Sequence, residues 1–188
     1  MPEFGLPAGD AIAAPVRGRI AVPGASQMRQ LGARIAGLLR AGDLVVLTGP
    51  LGAGKTTLAQ GIGTGLAVRG PVTSPTFVIA RIHPSLCGGP ALVHADAYRL
   101  GSRIEMDDLD LDADLDRAVT VVEWGEGLVE DLAPGYLQIT ISMARADPGG
   151  ELRLVKLAGH GDRWQAASGD LRDALAEPSP AASAGSGT

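Results

Sequence analysis

Apolar residues follow helical spacing in some segments and form strand-like runs in others, and together these patterns predict an α/β fold. The unbroken apolar run LVVLT at 44–48 is typical of a strand that is buried on both faces of a parallel sheet. Before this run, apolar residues follow helical spacing, which predicts a helix that is capped by Ser26 and ends near Gly42. The apolar positions of this helix are Met28, Leu31, Ile35, Leu38 and Leu39.

Shorter runs predict the remaining elements. We expect helices over 57–66 and 165–176, and strands over 76–82, 91–95, 119–122, 137–143 and 152–157. The last two strands alternate in period two on either side of the turn sequence DPGG, which predicts an antiparallel pair. The expected architecture is therefore a mixed sheet flanked by helices.

With 188 residues, the chain has room for one domain with its own core. Residues 1–18 are rich in Pro, Gly and Ala without periodicity, and we expect a flexible leader there. The small, polar stretch EPSPAASAGSGT at 177–188 is predicted to be a disordered tail. A single domain is therefore expected over 19–176.

Composition and charge exclude several classes of protein. The net charge of −5 argues against an extended surface for nucleic acid, which needs clustered Lys and Arg. No apolar run approaches the roughly 20 residues of a membrane span, and the basic start of a signal peptide is missing, so we expect a cytoplasmic protein. Cys87 is the only cysteine, which excludes an internal disulfide.

The segment GPLGAGKT at 49–56 fits the phosphate-binding pattern G-x-x-x-x-G-K-[ST] in full. Its glycines let successive N–H groups face phosphate oxygens, and the following helix adds the positive end of its dipole. Lys55 can reach the β- and γ-phosphates, and the Thr56 hydroxyl can bind Mg²⁺. A plain glycine-rich connector is the alternative, but the strand before the loop and the helix after it favour a site for a nucleoside triphosphate.

Two carboxylates stand at the ends of predicted strands. Glu123 ends the run AVTVVE, and Asp96 ends ALVHAD. Because the carboxyl ends of parallel strands gather at one edge of a sheet, both can reach the metal of a P-loop site. The alternative is that each merely caps a strand at the surface.

Several nearby residues have open interpretations. The hydroxyls of Ser74 and Thr76 in TSPTF can sense a γ-phosphate as switch loops do, or can belong to a turn that enters a strand. Trp124 can stack on a base or a partner, although packing is the favoured interpretation. His94 alternates with Asp96 and can lie beside the site, although a structural role is favoured.

The stretch EMDDLDLDADLD at 105–116 is dense in acidic residues. It lacks the spacing and the glycine of an EF-hand, so calcium binding is not predicted. It is either a solvated helix face or a docking surface for a basic partner.

The segments GPLGAGKTT, VTSPTF, HADAYRL and VVEWGE, in this order, resemble the bacterial TsaE (YjeE-type) ATPases over residues 20–159. The resemblance implies a P-loop NTPase-like three-layer fold, with a mixed β-sheet flanked by helices. It implies a cytoplasmic protein that binds ATP and Mg²⁺ and hydrolyses ATP weakly alone. It also implies a role with TsaB and TsaD in forming threonylcarbamoyladenosine at position 37 of tRNA, with the tRNA reached through that complex and no membrane involved.

The resemblance also assigns site residues. The triphosphate would lie on Gly49, Gly52, Ala53, Gly54, Lys55, Thr56 and Thr57, with Mg²⁺ held by Thr56 and Glu123. The catalytic set would be Lys55, Asp96, Glu123 and Thr76, with Thr76 in a switch segment. Nucleotide contacts are also implied near Gly24 and at an arginine close to the last two strands, for which Arg145 and Arg153 are candidates; Arg153 is included in the predicted site.

One departure and two alternative functions accompany this interpretation. Pro50 stands where the family usually has Asp, which removes one backbone donor from the edge of the loop. A small-molecule kinase of similar size is one alternative, although the arginine-rich lid of such kinases is not evident in the sequence. A nucleotide-sensing adaptor, in which hydrolysis is incidental, is the other.

Overall fold

The computed structural model describes residues 16–75, 80–99, 116–144 and 152–175. These residues form seven strands: β1 (Val16–Val22), β2 (Leu44–Thr48), β3 (Ala80–His83), β4 (Ala91–Asp96), β5 (Ala118–Glu123), β6 (Tyr136–Met143) and β7 (Arg153–His160). They also form four α-helices: α1 (Ala25–Ala36), α2 (Lys55–Gly65), α3 (Asp162–Ala166) and α4 (Ser168–Leu175). Two short 3₁₀ turns lie at Ala97–Arg99 and Glu130–Leu132.

The strands form one mixed sheet in the order β1-β7-β6-β2-β5-β4-β3. The four strands β6, β2, β5 and β4 are parallel, whereas β7, β1 and β3 join antiparallel to their neighbours. The carboxyl ends of β2, β4 and β5 therefore meet at one edge of the sheet. This topology confirms the predicted mixed sheet of the α/β class and the antiparallel pair of β6 and β7.

Both faces of the central strands are buried, as the apolar run of β2 predicts. Val45 and Leu47 of β2 face a core to which all four described α-helices contribute, including Leu31, Ile35, Leu58, Ile62, Trp164 and Leu171. Leu44 and Val46 face a second core, which contains Val129 and is covered in the described residues by the segment 128–136. Fully burying each such aliphatic side chain stabilises the fold by about 1.5–3 kcal/mol.

The helices α1 and α2 pack with their backbones in contact. A Cβ atom at Gly61 of α2 would overlap the carbonyl oxygen of Arg29, and one at Gly32 of α1 would overlap that of Leu58. Glycine at both positions therefore lets the helices approach closely. Since α2 begins at Lys55, this contact also sets the position of the P-loop helix against α1.

The amino-terminal part of the chain differs from the prediction. The strand β1 was not predicted, and it begins at Val16, inside the expected leader. The predicted Ser26 cap is wrong, because α1 begins at Ala25 with Gly24 as its N-cap and no side-chain cap hydrogen bond. The helix also ends at Ala36, before Gly42, since the chain then makes 3₁₀-type hydrogen bonds at Gly37, Leu38 and Leu39.

The carboxyl-terminal helix is also divided. The single helix expected over 165–176 is two short helices, α3 and α4, and the first begins at Asp162. Other predicted features lie outside the described residues: the tail at 177–188, nearly all of the acidic stretch at 105–116, and the start of the strand expected over 76–82. No helix in the described ranges combines the length and apolarity required to cross a membrane.

The close contact of α1 and α2 predicts a large effect of a single methyl group. We expect Gly61→Ala to lower the free energy of unfolding by about 1–3 kcal/mol, because the added carbon must push the two helices apart. Urea denaturation measures this change. The matched control is Gly169→Ala in α4, where a Cβ meets no atom within 4 Å, and an equal effect of both substitutions would contradict the helix contact.

Candidate functional site

The loop between β2 and α2 has the backbone of a phosphate cradle. Gly49, Gly52 and Gly54 have φ angles of 146°, 74° and 103°, in the region that favours glycine. A Cβ at Gly49 would also overlap the carbonyl oxygen of Ile141 in β6. No side chain caps α2 at Gly54, so the first N–H groups of this helix are available to an anion.

Lys55 is folded inward over this loop. Its Nζ donates hydrogen bonds to the carbonyl oxygens of Gly49 (2.9 Å) and Pro50 (3.1 Å), and it lies 3.7 Å from the ring centroid of Trp124. The residue is only 5% exposed. Burial lowers the pKa of Lys55, and the negative charges of Glu123 and Asp96 oppose this shift. The hydrogen-bond partners of the ammonium group are thus neutral carbonyl oxygens. A charged phosphate oxygen would be a stronger partner and can replace them.

Glu123, at the end of β5, joins the loop to the sheet. The Thr56 hydroxyl donates to its Oε1 (2.8 Å) and Oε2 (3.1 Å). The Nε2 atom of His94 lies 2.9 Å from Oε1. Glu123 is only 3% exposed, so both neighbours hold a carboxylate that has little access to water.

Asp96 lies beside Glu123, since the two residues are partners in the parallel register of β4 and β5. Its Oδ2 accepts a hydrogen bond from the Ser74 hydroxyl (3.2 Å), and its Oδ1 accepts one from the Tyr98 N–H (3.0 Å). The two strand-end carboxylates therefore occupy adjacent positions, each with its own donors.

These groups surround a cavity of about 320 Å³. Its lining residues are Leu51, Gly52, Gly54, Lys55, Thr56, Thr57, Ser74, Asp96, Tyr98, Glu123 and Trp124. A second cavity, of about 190 Å³, shares Gly52, Gly54 and Thr57 with the first. It continues past the loop to Gly24, Ala25, Met28, Ala53 and Arg153. The two cavities thus lie on either side of the same glycine loop.

Most of the predicted site residues meet at these cavities. Gly24, Gly52, Ala53, Gly54, Lys55, Thr56, Thr57, Asp96, Glu123 and Arg153 line one or both of them. Gly49 lines neither cavity, but its carbonyl oxygen accepts from Lys55. Thr76 and Arg145 lie outside the described residues, so their roles stay predictions.

Two residues have a larger place in the site than the sequence indicates. His94 contacts Glu123 directly, and the signal for this was its alternation with Asp96 along one strand. Trp124 forms the cavity wall beside Lys55, with a positive φ of 62° and its ring 5.1 Å from that of Tyr98. This tryptophan therefore packs, as the favoured interpretation predicts, against Tyr98 and Lys55 at the cavity.

The oxygen atoms of the site suit Mg²⁺, an ion that the protein usually binds together with water and substrate phosphates. Within the described ranges, no group of three or more His, Cys, Asp or Glu side chains is arranged to hold an ion. Mg²⁺ instead prefers a few oxygen ligands together with water and substrate phosphates. The Thr56 hydroxyl and the Glu123 carboxylate, 2.8 Å apart beside the phosphate loop, are such ligands.

The parallel strands, the glycine loop at the start of α2 and the strand-end carboxylates define a P-loop NTPase-like α/β protein. Residues 22–150 match the family described as "Threonylcarbamoyl adenosine biosynthesis protein TsaE". The chain therefore belongs to the TsaE family.

Curated relatives and a solved structure agree with this assignment. The chain is 62% identical over 141 residues to tRNA threonylcarbamoyladenosine biosynthesis protein TsaE of Streptomyces coelicolor, a match covering 74% of this chain and 95% of the relative. It is 51% identical over 131 residues to the protein of the same name from Mycobacterium tuberculosis, covering 66% and 78%. The crystal structure of Bacillus subtilis YdiB superposes with a TM-score of 0.67 at 27% identity, covering 84% of this chain and 95% of that one.

The charges around Lys55 predict how its pKa responds to substitution. We expect Glu123→Gln to lower the pKa of Lys55 further, because it removes the larger of the two carboxylate contributions that oppose the effect of burial. Asp96→Asn should have a smaller effect in the same direction. An NMR titration of the lysine Cε signals measures both changes.

The chain provides its own reference for this titration. It contains two lysines, Lys55 and Lys156, and Lys156 is exposed on β7. The signal of Lys156 is the internal reference, because β6 and β2 lie between β7 and β5 in the sheet. A rise in the pKa of Lys55 in Glu123→Gln would contradict the proposed charge balance.

Proposed function

We propose that this chain binds ATP with Mg²⁺, hydrolyses it slowly, and supports the formation of tRNA threonylcarbamoyladenosine together with TsaB and TsaD. The observation that carries this proposal is the convergence of Lys55, Thr56 and Glu123 at the uncapped start of α2. The names of the family and of the curated relatives support the role in tRNA modification.

The phosphate chain of ATP would lie along the loop from Gly52 to Thr57. Backbone N–H groups and the dipole of α2 attract the phosphates. Lys55 would exchange its bonds to the Gly49 and Pro50 carbonyls for charge-assisted bonds to phosphate oxygens. The interaction that folds Lys55 inward is thus replaced by a stronger one when nucleotide binds.

The smaller cavity is suited to the nucleoside. It is continuous with the loop through Gly52, Gly54 and Thr57, and its far wall contains Gly24, Met28 and Arg153. A ring can pack against the Met28 side chain, while the Arg153 guanidinium supplies donors. A nucleotide would therefore cross from one cavity to the other over the P-loop.

Thr56 and Glu123 are the protein groups that would hold Mg²⁺. The ion supplies positive charge that neutralises the phosphate oxygens. The Thr56 hydroxyl donates to Glu123 at 2.8 Å, so the two groups lie side by side at the loop, which supports this assignment.

Hydrolysis would rest on positioning and charge, since phosphoryl transfer needs little covalent help from the protein. The Asp96 carboxylate, oriented by Ser74 and by the Tyr98 N–H, can accept a hydrogen bond from the attacking water. The water oxygen would bond to the γ-phosphorus as the bond from this phosphorus to the ADP oxygen breaks, and the proton of the water would leave with the released phosphate. No arginine of the described residues lines the larger cavity, so turnover should be slow until a partner completes the site.

The role with TsaB and TsaD requires that the two nucleotide states differ in affinity for these partners. A ligand drives a conformational change only through a difference in its affinity for the two states. The γ-phosphate would contact Lys55 and the Asp96–Ser74 pair, and these contacts are lost in ADP. Leu51 and Tyr98 are exposed residues of the cavity lining, which supports a nucleotide-dependent difference at a surface that partners can contact.

Loss of the P-loop lysine should reduce phosphate release. We expect Lys55→Ala to lower the rate about 100-fold or more, with and without TsaB–TsaD, because a charge that stabilises the transition state is removed. The measurement is release of inorganic phosphate from ATP, and Lys156→Ala is the matched control. Retention of the full rate in Lys55→Ala would contradict a catalytic P-loop.

The fate of the γ-phosphate separates ATP hydrolysis from the kinase alternative. With γ-labelled ATP, the label should appear as free phosphate. Transfer of the label to a small metabolite would instead support a kinase.

Partner binding should depend on the nucleotide. We expect TsaB–TsaD to bind the chain with clearly different affinity in the presence of a non-hydrolysable ATP analogue and of ADP, as measured by pull-down or calorimetry. Equal affinities would rule out a nucleotide-driven cycle. The Glu123→Ala variant then tests the adaptor alternative, because tRNA modification that survives in this variant would make hydrolysis incidental.

A further inference from the structure

We infer that His94 is a positioning residue, whose ring Nε2–H holds the Glu123 carboxylate in the orientation that a metal-bound nucleotide requires. This inference rests on the proposed function, since it concerns the residue that would hold Mg²⁺. The sequence pattern favoured a structural role for His94, whereas this inference assigns it a role in orienting Glu123.

His94 reaches Glu123 from the neighbouring strand β4, and its Nε2 contacts the same Oε1 atom that accepts from the Thr56 hydroxyl. His94 pairs with Val121 in the register of β4 and β5, two residues before Glu123, so the two side chains share one face of the sheet and are diagonal neighbours. The Nε2–Oε1 distance is 2.9 Å. His94 is 0% exposed and Glu123 is 3% exposed, so water cannot readily substitute for either partner.

The atoms that meet show that His94 is the donor in this hydrogen bond. Its Nδ1 is buried and has no hydrogen-bond partner in the described part of the chain. A carboxylate oxygen only accepts hydrogen bonds, so the 2.9 Å contact requires the hydrogen on Nε2, and this donor is committed to Glu123.

This donor matters most when Thr56 changes partner. The Thr56 hydroxyl and His94 both donate to Glu123 in the structure. When the Thr56 oxygen turns to a ligand, its bond to the carboxylate is lost. His94 is then the side-chain donor that remains on Glu123. Its hydrogen bond holds the carboxylate in place against the attraction of the positively charged Lys55 ammonium. Neighbours of this kind that orient a metal ligand typically change metal affinity about 10- to 100-fold.

Three substitutions at His94 test the role of the donor. Glutamine places its amide nitrogen the same number of bonds from Cα as Nε2, whereas the amide nitrogen of asparagine is one bond closer, and leucine has no donor. The readout is the ratio of ATP affinity in Mg²⁺ to ATP affinity in EDTA, measured by calorimetry. Thermal unfolding of the nucleotide-free variants is followed in parallel.

We expect His94→Leu and His94→Asn to lower this ratio about 10-fold or more, whereas His94→Gln retains most of it. Affinity in EDTA should change little in all three variants. Equal ratios in the wild type and in all variants, or a ratio that falls together with thermal stability and equally for Gln and Asn, would overturn the inference. If His94→Leu does not fold, the comparison of Gln with Asn decides.

The same experiment distinguishes failure of the inference from failure of the proposed function. If wild-type protein binds ATP more tightly with Mg²⁺ but His94 variants behave alike, only the role of His94 is wrong. If wild-type protein does not bind ATP in either buffer, the proposed function is wrong, and the inference that rests on it is also overturned.

Discussion

The parallel register of β5 against β2 and β4 is the constraint on which the site depends. It sets Glu123 beside Leu47 on one side and beside Asp96 on the other, at the edge where β2 passes into the phosphate loop. Because side chains alternate between faces, a slip of one residue would turn Glu123 away from Thr56. The buried apolar residues on both faces of these strands make such a slip costly.

The site brings charged side chains together where they have little access to solvent. Three side chains, those of Lys55, Asp96 and Glu123, are all at least 94% buried. Removing an ion from water costs roughly several kcal/mol when it lacks a full set of charged and hydrogen-bonding partners. The hydrogen bonds from Thr56, His94 and Ser74 offset part of this cost. The inward fold of Lys55 onto neutral carbonyl groups leaves its charge only partly compensated, which supports the proposed binding of a polyphosphate.

Pro50, where the resemblance predicts Asp, takes part in the hydrogen bonds of the loop. Proline has no N–H to donate, yet its carbonyl oxygen accepts hydrogen bonds from Lys55 Nζ and from the Ala53 N–H. Any residue supplies this carbonyl group. The donors that face a phosphate come from the residues after Pro50, so the substitution lies at the edge of the cradle.

Features that depend on neighbouring residues in the chain were predictable from the sequence alone: the buried run of β2, the glycine loop with Lys55 and Thr56, the strand-end acids, and the alternating strands β6 and β7. The strand β1, the Gly24 start of α1, the division of α3 from α4, and the contact of His94 with Glu123 were decided by the tertiary structure. The pairing partner of β1 is β7, at the other end of the chain, and His94 and Trp124 meet their partners only after β4, β5 and the P-loop assemble. Local periodicity carries no information on contacts between such distant segments, because these contacts form only when the strands assemble into the sheet.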